Sequence, residues 1–334
     1  MRLAVTRAEG VLGGHVVACA AAAGHEVVAV VDRRTPAERR RQLRALGGGV
    51  TLAEAVGDPE RWLEGCQALI DARSRAAELG PETTFARADA DASERLLAGA
   101  SRAGVRRIVL LSSLAVHRFD GSVDVDVRTR PRDRRELPYA HALRRVEDLV
   151  LAGDRLEGVV VRPGLWPIGL GDRVLWRLAR ALRGGRLPLV GGGLGVLNVV
   201  DADDLAAALL LASLHPAAPG RVYAVAEPTR LTWRDALTTL ASLLGGRPPR
   251  RLLPTAPIQA VASVLERAYG IASPASEPTL TRYRTALLGT GLHVRVDHAV
   301  DELGWRPRVA WRETLRRAAV DALPRLGVAP RGRT

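Results

Sequence analysis

Leu3-Ala4-Val5-Thr6-Arg7-Ala8-Glu9-Gly10-Val11-Leu12-Gly13-Gly14 is the stretch whose reading decides the fold. It is a short apolar run followed by a glycine turn, and it leads into an alanine-rich helix over about His15–Ala23. Gly24 stops that helix, because glycine closes helices without steric penalty. Glu26–Val31 is a second apolar, β-branched run, and Asp32 ends it. Strand, glycine turn, helix and strand with a terminal acid make the βαβ unit that binds a dinucleotide. The diphosphate then rests on backbone N–H groups at the helix N-terminus.

The rest of the chain continues the alternation. A charged helix is expected over 36–46, a short strand over Val50–Leu52 and a short helix over Asp58–Leu63, opened by a good cap and a proline. Ala68–Ala72 reads as the fourth strand, Asp89–Ala103 as a helix and Arg106–Ser113 as the fifth strand. A loop rich in Asp and Arg runs from Asp120 to Glu136. The predicted fold class is therefore α/β, a doubly wound parallel sheet.

Bulk composition narrows the classes. The chain has 334 residues, 47% hydrophobic and 25% charged, as in an ordinary soluble globular protein. No apolar run is long and uncharged enough to span a bilayer, and the first strand begins too early for a signal peptide, so a cytoplasmic location is expected. Two cysteines, Cys19 and Cys66, make neither a disulfide framework nor a metal cluster. The net charge of +13 comes from 49 basic residues, every one arginine. They are scattered and lack interleaved aromatics, so a solvated basic surface is the expectation and nucleic-acid binding is not.

Five later segments carry a family resemblance. Gly104-Val-Arg-Arg-Ile-Val-Leu-Leu-Ser-Ser-Leu-Ala-Val-His117 is a strand ending in paired serines, and Tyr139-Ala-His-Ala-Leu143-Arg-Arg-Val-Glu147 spaces a tyrosine and a glutamate along one helix. Val159-Val-Val-Arg162-Pro-Gly164 is a strand ending in an Arg-Pro-Gly turn. Asn198–Ala206 and Glu302-Leu-Gly-Trp-Arg-Pro307 follow. With the turn from Thr6 to Gly13, the chain resembles the extended branch of the short-chain dehydrogenase/reductase superfamily over about residues 1–325. This covers its epimerase/dehydratase and 3β-hydroxysteroid dehydrogenase-like members.

The resemblance implies a Rossmann-type domain over 1–165 plus about 197–225. A smaller, α-rich C-terminal substrate domain would cover about 166–196 and 226–325, with a tail over 326–334. It implies NAD or NADP as cofactor and a small-molecule substrate, with a homodimer as the assembly to test. Tyr139 takes the place of the family's acid/base tyrosine and Ser113 that of the serine holding the substrate oxygen. His117, replacing a common tyrosine, is an added acid/base candidate if it shares a strand face with Ser113; an ordinary loop histidine is the competing reading. The implied cofactor-facing set is Thr6, Arg7, Gly10, Leu12, Gly13, Asp32, Arg33, Ala72, Leu143 and Arg162, with no metal.

Three cofactor-facing places depart from the family together. Arg7 stands where the first glycine belongs. The run Asp71-Ala72-Arg73-Ser74 replaces small neutral residues, and Leu143 replaces the lysine that binds the nicotinamide ribose and lowers the tyrosine's pKa. Arg144 and Arg145 lie on other faces of the helix, so a substitute cation would come from elsewhere, Arg7 or Arg73 being candidates. Asp32 favours the ribose hydroxyls of NAD while Arg33 and Arg34 suit the 2′-phosphate of NADP, and both stay open. Three functions remain: an NAD(P)-linked oxidoreductase acting on a hydroxyl or keto group of a largely apolar metabolite, a non-redox isomerase, cyclase or lyase of specialised metabolism using Tyr139, His117 or Asp71, or a non-catalytic nucleotide sensor. Trp166 is expected at the border of the substrate cleft, and Trp233 and Trp305 in the core.

Overall fold

The computed structural model describes residues 1–73, 82–129, 138–153, 155–171, 173–185, 187–272 and 280–326. Its elements run β1 (Arg2–Val5), α1 (Val11–Ala22), β2 (Glu26–Val31), α2 (Ala37–Arg44), β3 (Val50–Glu54), α3 (Pro59–Leu63) and β4 (Ala68–Asp71). There follow α4 (Glu82–Arg102), β5 (Arg107–Leu111), α5 (Pro138–Leu151), β6 (Glu157–Pro163), β7 (Trp166–Ile168), α6 (Arg173–Arg183) and β8 (Leu189–Val190). The chain continues through β9 (Val199–Asp201), α7 (Ala202–Leu214), β10 (Val222–Val225), α8 (Trp233–Leu243), β11 (Leu252–Leu253), α9 (Thr255–Ala272), α10 (Arg282–Gly289), α11 (Asp297–Leu303) and α12 (Trp311–Arg325).

Seven parallel strands form the main sheet in the order β3-β2-β1-β4-β5-β6-β10. Strand residues alternate between its two faces. Leu3, Val5, Val27, Ala29 and Ile70 pack with Val16, Val17 and Ala20 of α1 and Leu205 and Leu209 of α7. Ala4, Val28, Val30 and Leu69 pack on the other side with Leu63, Leu96, Ala100, Val146 and Val150 from α3, α4 and α5. Both faces are buried, which is why these strands read as continuous apolar runs rather than alternating ones. The winding reverses between β1 and β4, and such a switch point opens a crevice at the carboxyl ends of the strands.

Two expected boundaries shift. Helix α4 begins at Glu82 rather than near residue 89, and β5 ends at Leu111, two residues before Ser113. Beyond that strand, Ser113 caps a single 3-10 turn over Leu114–Val116 by accepting from Ala115 N–H at 3.1 Å. The side chain of Asp89, residues 130–136 of the acidic and basic loop, Ser74 and the tail from 327 lie outside the described residues.

A separate apolar cluster joins β7, α6, α8 and α12, where Trp166 stacks on Trp233 at 5.9 Å between centroids. Trp166 is thus a core residue, not the border of a cleft. The two late motifs meet at a second point. Trp305, fully buried, donates its indole N–H to the Asp204 carbonyl at 2.9 Å, while the Asp204 carboxylate accepts from Arg308 and Val309 N–H at 3.0 Å each. Trp305→Ala removes this anchor, and urea denaturation is expected to show a loss of about 3–5 kcal/mol.

Candidate active site

The turn after β1 is tight and carries an arginine where the resemblance places a glycine. Arg7 adopts a left-handed backbone, φ 49°, one of two non-glycine residues to do so among those described. An L-residue there carries about 1–2 kcal/mol of strain that glycine would not. The conformation is imposed from both sides. The Arg7 carbonyl accepts from Gly10 N–H at 2.9 Å, and a Cβ on Gly13 would lie 2.2 Å from that same oxygen. Gly10 caps α1 without a side-chain hydrogen bond, so no side chain takes up the first-turn amides of the helix. Leu12 packs its side chain against the sheet core, so only its backbone can serve there. From behind, Arg39 of α2 braces the turn by donating to the Glu9 carbonyl at 3.1 Å and the Gly10 carbonyl at 3.3 Å.

A cleft of about 400 Å³ opens here, with Thr6, Arg7, Glu9, Asp32, Asp71 and Arg73 on its polar wall and Leu110, Ala142, Leu143 and Val146 on its apolar one. Trp62, Ser93, Arg95 and Leu96 close the side toward α3 and α4. Asp32 is exposed at the end of β2, its Oδ1 accepting from Arg34 N–H at 2.7 Å. Arg33 is exposed and is not among the cleft-lining residues; nor is Ala72, which donates its N–H to Thr6 Oγ1 at 2.9 Å. The Thr6 hydroxyl in turn donates to Asp71 Oδ1 at 2.7 Å and so ties β1 to β4.

Asp71 is buried, and Arg73 grips its carboxylate with two hydrogen bonds of 2.8 Å. Burial pushes the Asp71 carboxyl up, but the Arg73 guanidinium and the Thr6 hydroxyl outweigh it and hold the group below the usual carboxylate range. Asp71 is therefore a weak base, its carboxylate oxygens already taken by Arg73 and Thr6. Arg73 is committed to that pair and to Ser93 Oγ at 3.4 Å, so it is no substitute for the missing lysine.

Two further expectations are corrected by a buried network behind α5. Arg162 donates to both oxygens of Glu147 at 2.9 and 2.6 Å and to the Val127 carbonyl at 2.7 Å, so its guanidinium is turned into the protein rather than toward a cofactor. Its Nη1 also lies 3.0 Å from His117 Nε2, which must accept because a guanidinium only donates. His117 is buried by this contact, and the 3-10 turn breaks the strand face it was expected to share with Ser113. Ser112 donates its hydroxyl to Glu147 as well. The network clamps α5 to β5 and β6 and so fixes where Leu143 faces the cleft. Tyr139 lies in the first turn of α5, four residues before Leu143, but its side chain is outside the described residues. Ser113 does not line the cleft as described.

A parallel sheet wound this way, with a glycine turn and cleft at its switch point, defines a dinucleotide-binding enzyme scaffold of the Rossmann type. The chain belongs to the NAD dependent epimerase/dehydratase family, whose model matches residues 3–226, within the extended short-chain dehydrogenase/reductases. It is 28% identical to a 2-alkyl-3-oxoalkanoate reductase of Stenotrophomonas maltophilia over 95% of this chain and 98% of the relative. It is 28% identical to a 4-hydroxy-2-methyl-3-oxo-4-farnesyl-3,4-dihydroquinoline-1-oxide ketoreductase of Stigmatella aurantiaca, over 99% and 98%. Among solved structures, a nucleoside-diphosphate-sugar epimerase from Pseudomonas aeruginosa superposes with a TM-score of 0.75 at 22% identity, covering 98% of each chain. MoeE5 in complex with UDP-glucose and NAD gives 0.71 at 22%, over 98% and 100%. Likeness at that identity speaks for the fold alone.

The residues present fit the cofactor of this family at its diphosphate. Helix α1 approaches the turn as closely as only a glycine at residue 13 allows, and no side chain caps its first-turn amides. Among the described residues, the apolar wall at Leu143 is formed by Leu110, Ala142, Leu143 and Val146, with no cation in the lysine's place. Asp71→Asn is expected to lower stability by about 2 kcal/mol, because it strips Arg73 of its partner. The wild-type advantage, carried by a carboxylate whose folded pKa is depressed, is full above about pH 4. It fades as pH falls below that, so urea unfolding at pH 7 and pH 3 should show the gap shrink.

Proposed function

We propose that the chain is an NAD(P)-linked ketoreductase that reduces a keto group on a small, largely apolar metabolite. The observation that carries this is the cleft itself. It runs from Asp32 past the turn at Thr6 and Arg7 to Leu143 on the helix that bears Tyr139. Reductase names on relatives matched over nearly the whole chain support the reaction type, and their alkyl and farnesyl substrates support an apolar one. Residues 166–196 and 226–325 would supply the substrate domain.

When bound, NADH or NADPH supplies a hydride to the substrate carbonyl carbon. The chain's part is to hold the carbonyl oxygen and give it a proton. Ser113 Oγ accepts from Ala115 N–H, which leaves its hydrogen available to the substrate oxygen. Tyr139 serves as the proton donor. A phenol titrates near 10 and is protonated at neutral pH without help, so it can donate to a forming alkoxide. Removing a proton from an alcohol requires the phenolate, which the family's lysine promotes. With Leu143 on the cleft wall instead, proton transfer starts from the protonated phenol, the form that ketone reduction uses.

Leu143 also favours a second reading, a non-redox enzyme on the same scaffold. Two variants separate the readings. Tyr139→Phe should lower ketone-dependent NADPH or NADH oxidation by about 10²–10⁴-fold, since that is the usual scale of acid–base assistance. Leu143→Lys should raise the reverse oxidation of the alcohol product at pH 7 in the ketoreductase. In a non-redox enzyme it buries a charge in an apolar wall and lowers turnover without new cofactor dependence. Tyr139→Phe at wild-type rate would remove this residue from both.

A further inference from the structure

We propose that Arg7 is the diphosphate clamp of this cleft, its guanidinium holding the bridging phosphates of the dinucleotide from a position where the turn ordinarily offers backbone alone. This rests on the reading of the cleft as a dinucleotide site.

Gly10 N–H bonds the Arg7 carbonyl, and that oxygen lies where a Cβ on Gly13 would clash with it, so residue 7 sits in the tight turn between β1 and α1 while lining the cleft. Helix α1 opens beside it with no side-chain cap. An arginine here adds positive charge near a helix N-terminus, the end that favours anions.

The guanidinium is available. Arg7 lines the cleft with a half-exposed side chain, and its one ion-pair contact is with Glu9 at 3.9 Å, too long for a hydrogen bond. The neighbouring arginines are committed. Arg73 holds Asp71, and Arg39 holds the carbonyls of Glu9 and Gly10 behind the turn. Glu9 gives a second reason for a cation here. It lines the same cleft, and its Oε2 is buried with no hydrogen-bond partner, so its charge would repel a diphosphate laid over the turn. Arg7 Nε lies 3.9 Å from Glu9 Oε1, which puts a cation beside that carboxylate on the same cleft. A strained arginine backbone where glycine would rest unstrained is retained when the side chain does something the strain does not outweigh.

The clamp has a signature of opposite signs. Arg7→Gly relieves the left-handed backbone, so the ligand-free protein should melt at a higher temperature than wild type. The same variant should bind ADP, NADH and NADPH more weakly, by about ten- to a hundredfold, the scale of a charge-assisted hydrogen bond. The loss should narrow at high salt, and adenosine, which has no phosphate, should bind both proteins alike. Arg7→Lys, which keeps the charge and loses the forked geometry, should fall between them.

Calorimetric titration of the full chain and these two variants with ADP, adenosine, NADH and NADPH at low and high salt, with melting curves of the free proteins, tests this. An Arg7→Gly protein that binds ADP as tightly as wild type, or more tightly, overturns the clamp while leaving a dinucleotide site in place. Wild-type protein that titrates with none of ADP, NADH and NADPH at millimolar concentration overturns the dinucleotide reading and the clamp with it.

Discussion

The contact between the Arg7 carbonyl and Gly13 is the constraint on which the cofactor end of this structure depends. A methyl group on Gly13 would sit 2.2 Å from that oxygen, so helix α1 can approach the end of β1 only with glycine at this place. Residue 7 meets that close approach in the left-handed region, φ 49°, although it is an arginine. The helix N-terminus is thereby delivered to the crevice at the sheet's switch point. Thr6, the residue before the turn, extends the constraint sideways by bonding Asp71 and Ala72 at the end of β4.

The buried carboxylates at Asp71 and Glu147 are each answered locally. Asp71 is a buried carboxylate that would be costly alone, and Arg73 answers it with a forked pair two residues on. Glu147 and Arg162 do the same behind α5 and draw in Ser112, His117 and the Val127 carbonyl. Buried pairs of this kind add little net stability against an apolar alternative, but they permit one arrangement of their partners. Here that arrangement seats α5, and with it the wall of the cleft formed by Ala142, Leu143 and Val146.

The cleft consequently has two characters. One end is polar and cationic, shaped around an intact phosphate cradle; the other, at α5, is aliphatic where the family places its lysine. On the ketoreductase reading proposed above, such a site holds the nucleotide by its diphosphate and draws its proton from Tyr139, and its relatives carry reductase names.

Sequence alone determined the parallel sheet and the position of the phosphate turn, because both follow from local pattern. The strands are buried on two faces and so read as unbroken apolar runs, and a glycine turn between such a run and a helix has few other uses. The departures at Arg7, Asp71–Arg73 and Leu143 were equally legible, since they are read against a fixed frame. What those departures mean was decided only by tertiary structure. Whether Arg7 fills the cradle or keeps its shape depends on a backbone angle set by Gly13, and whether Asp71 is a base depends on the guanidinium that folds back onto it. His117 and Arg162 turned inward through partners 45 and 15 residues away in the chain, and Trp166 was claimed by a stacking partner 67 residues on. No periodicity or spacing encodes a side chain's partner at that distance; packing does.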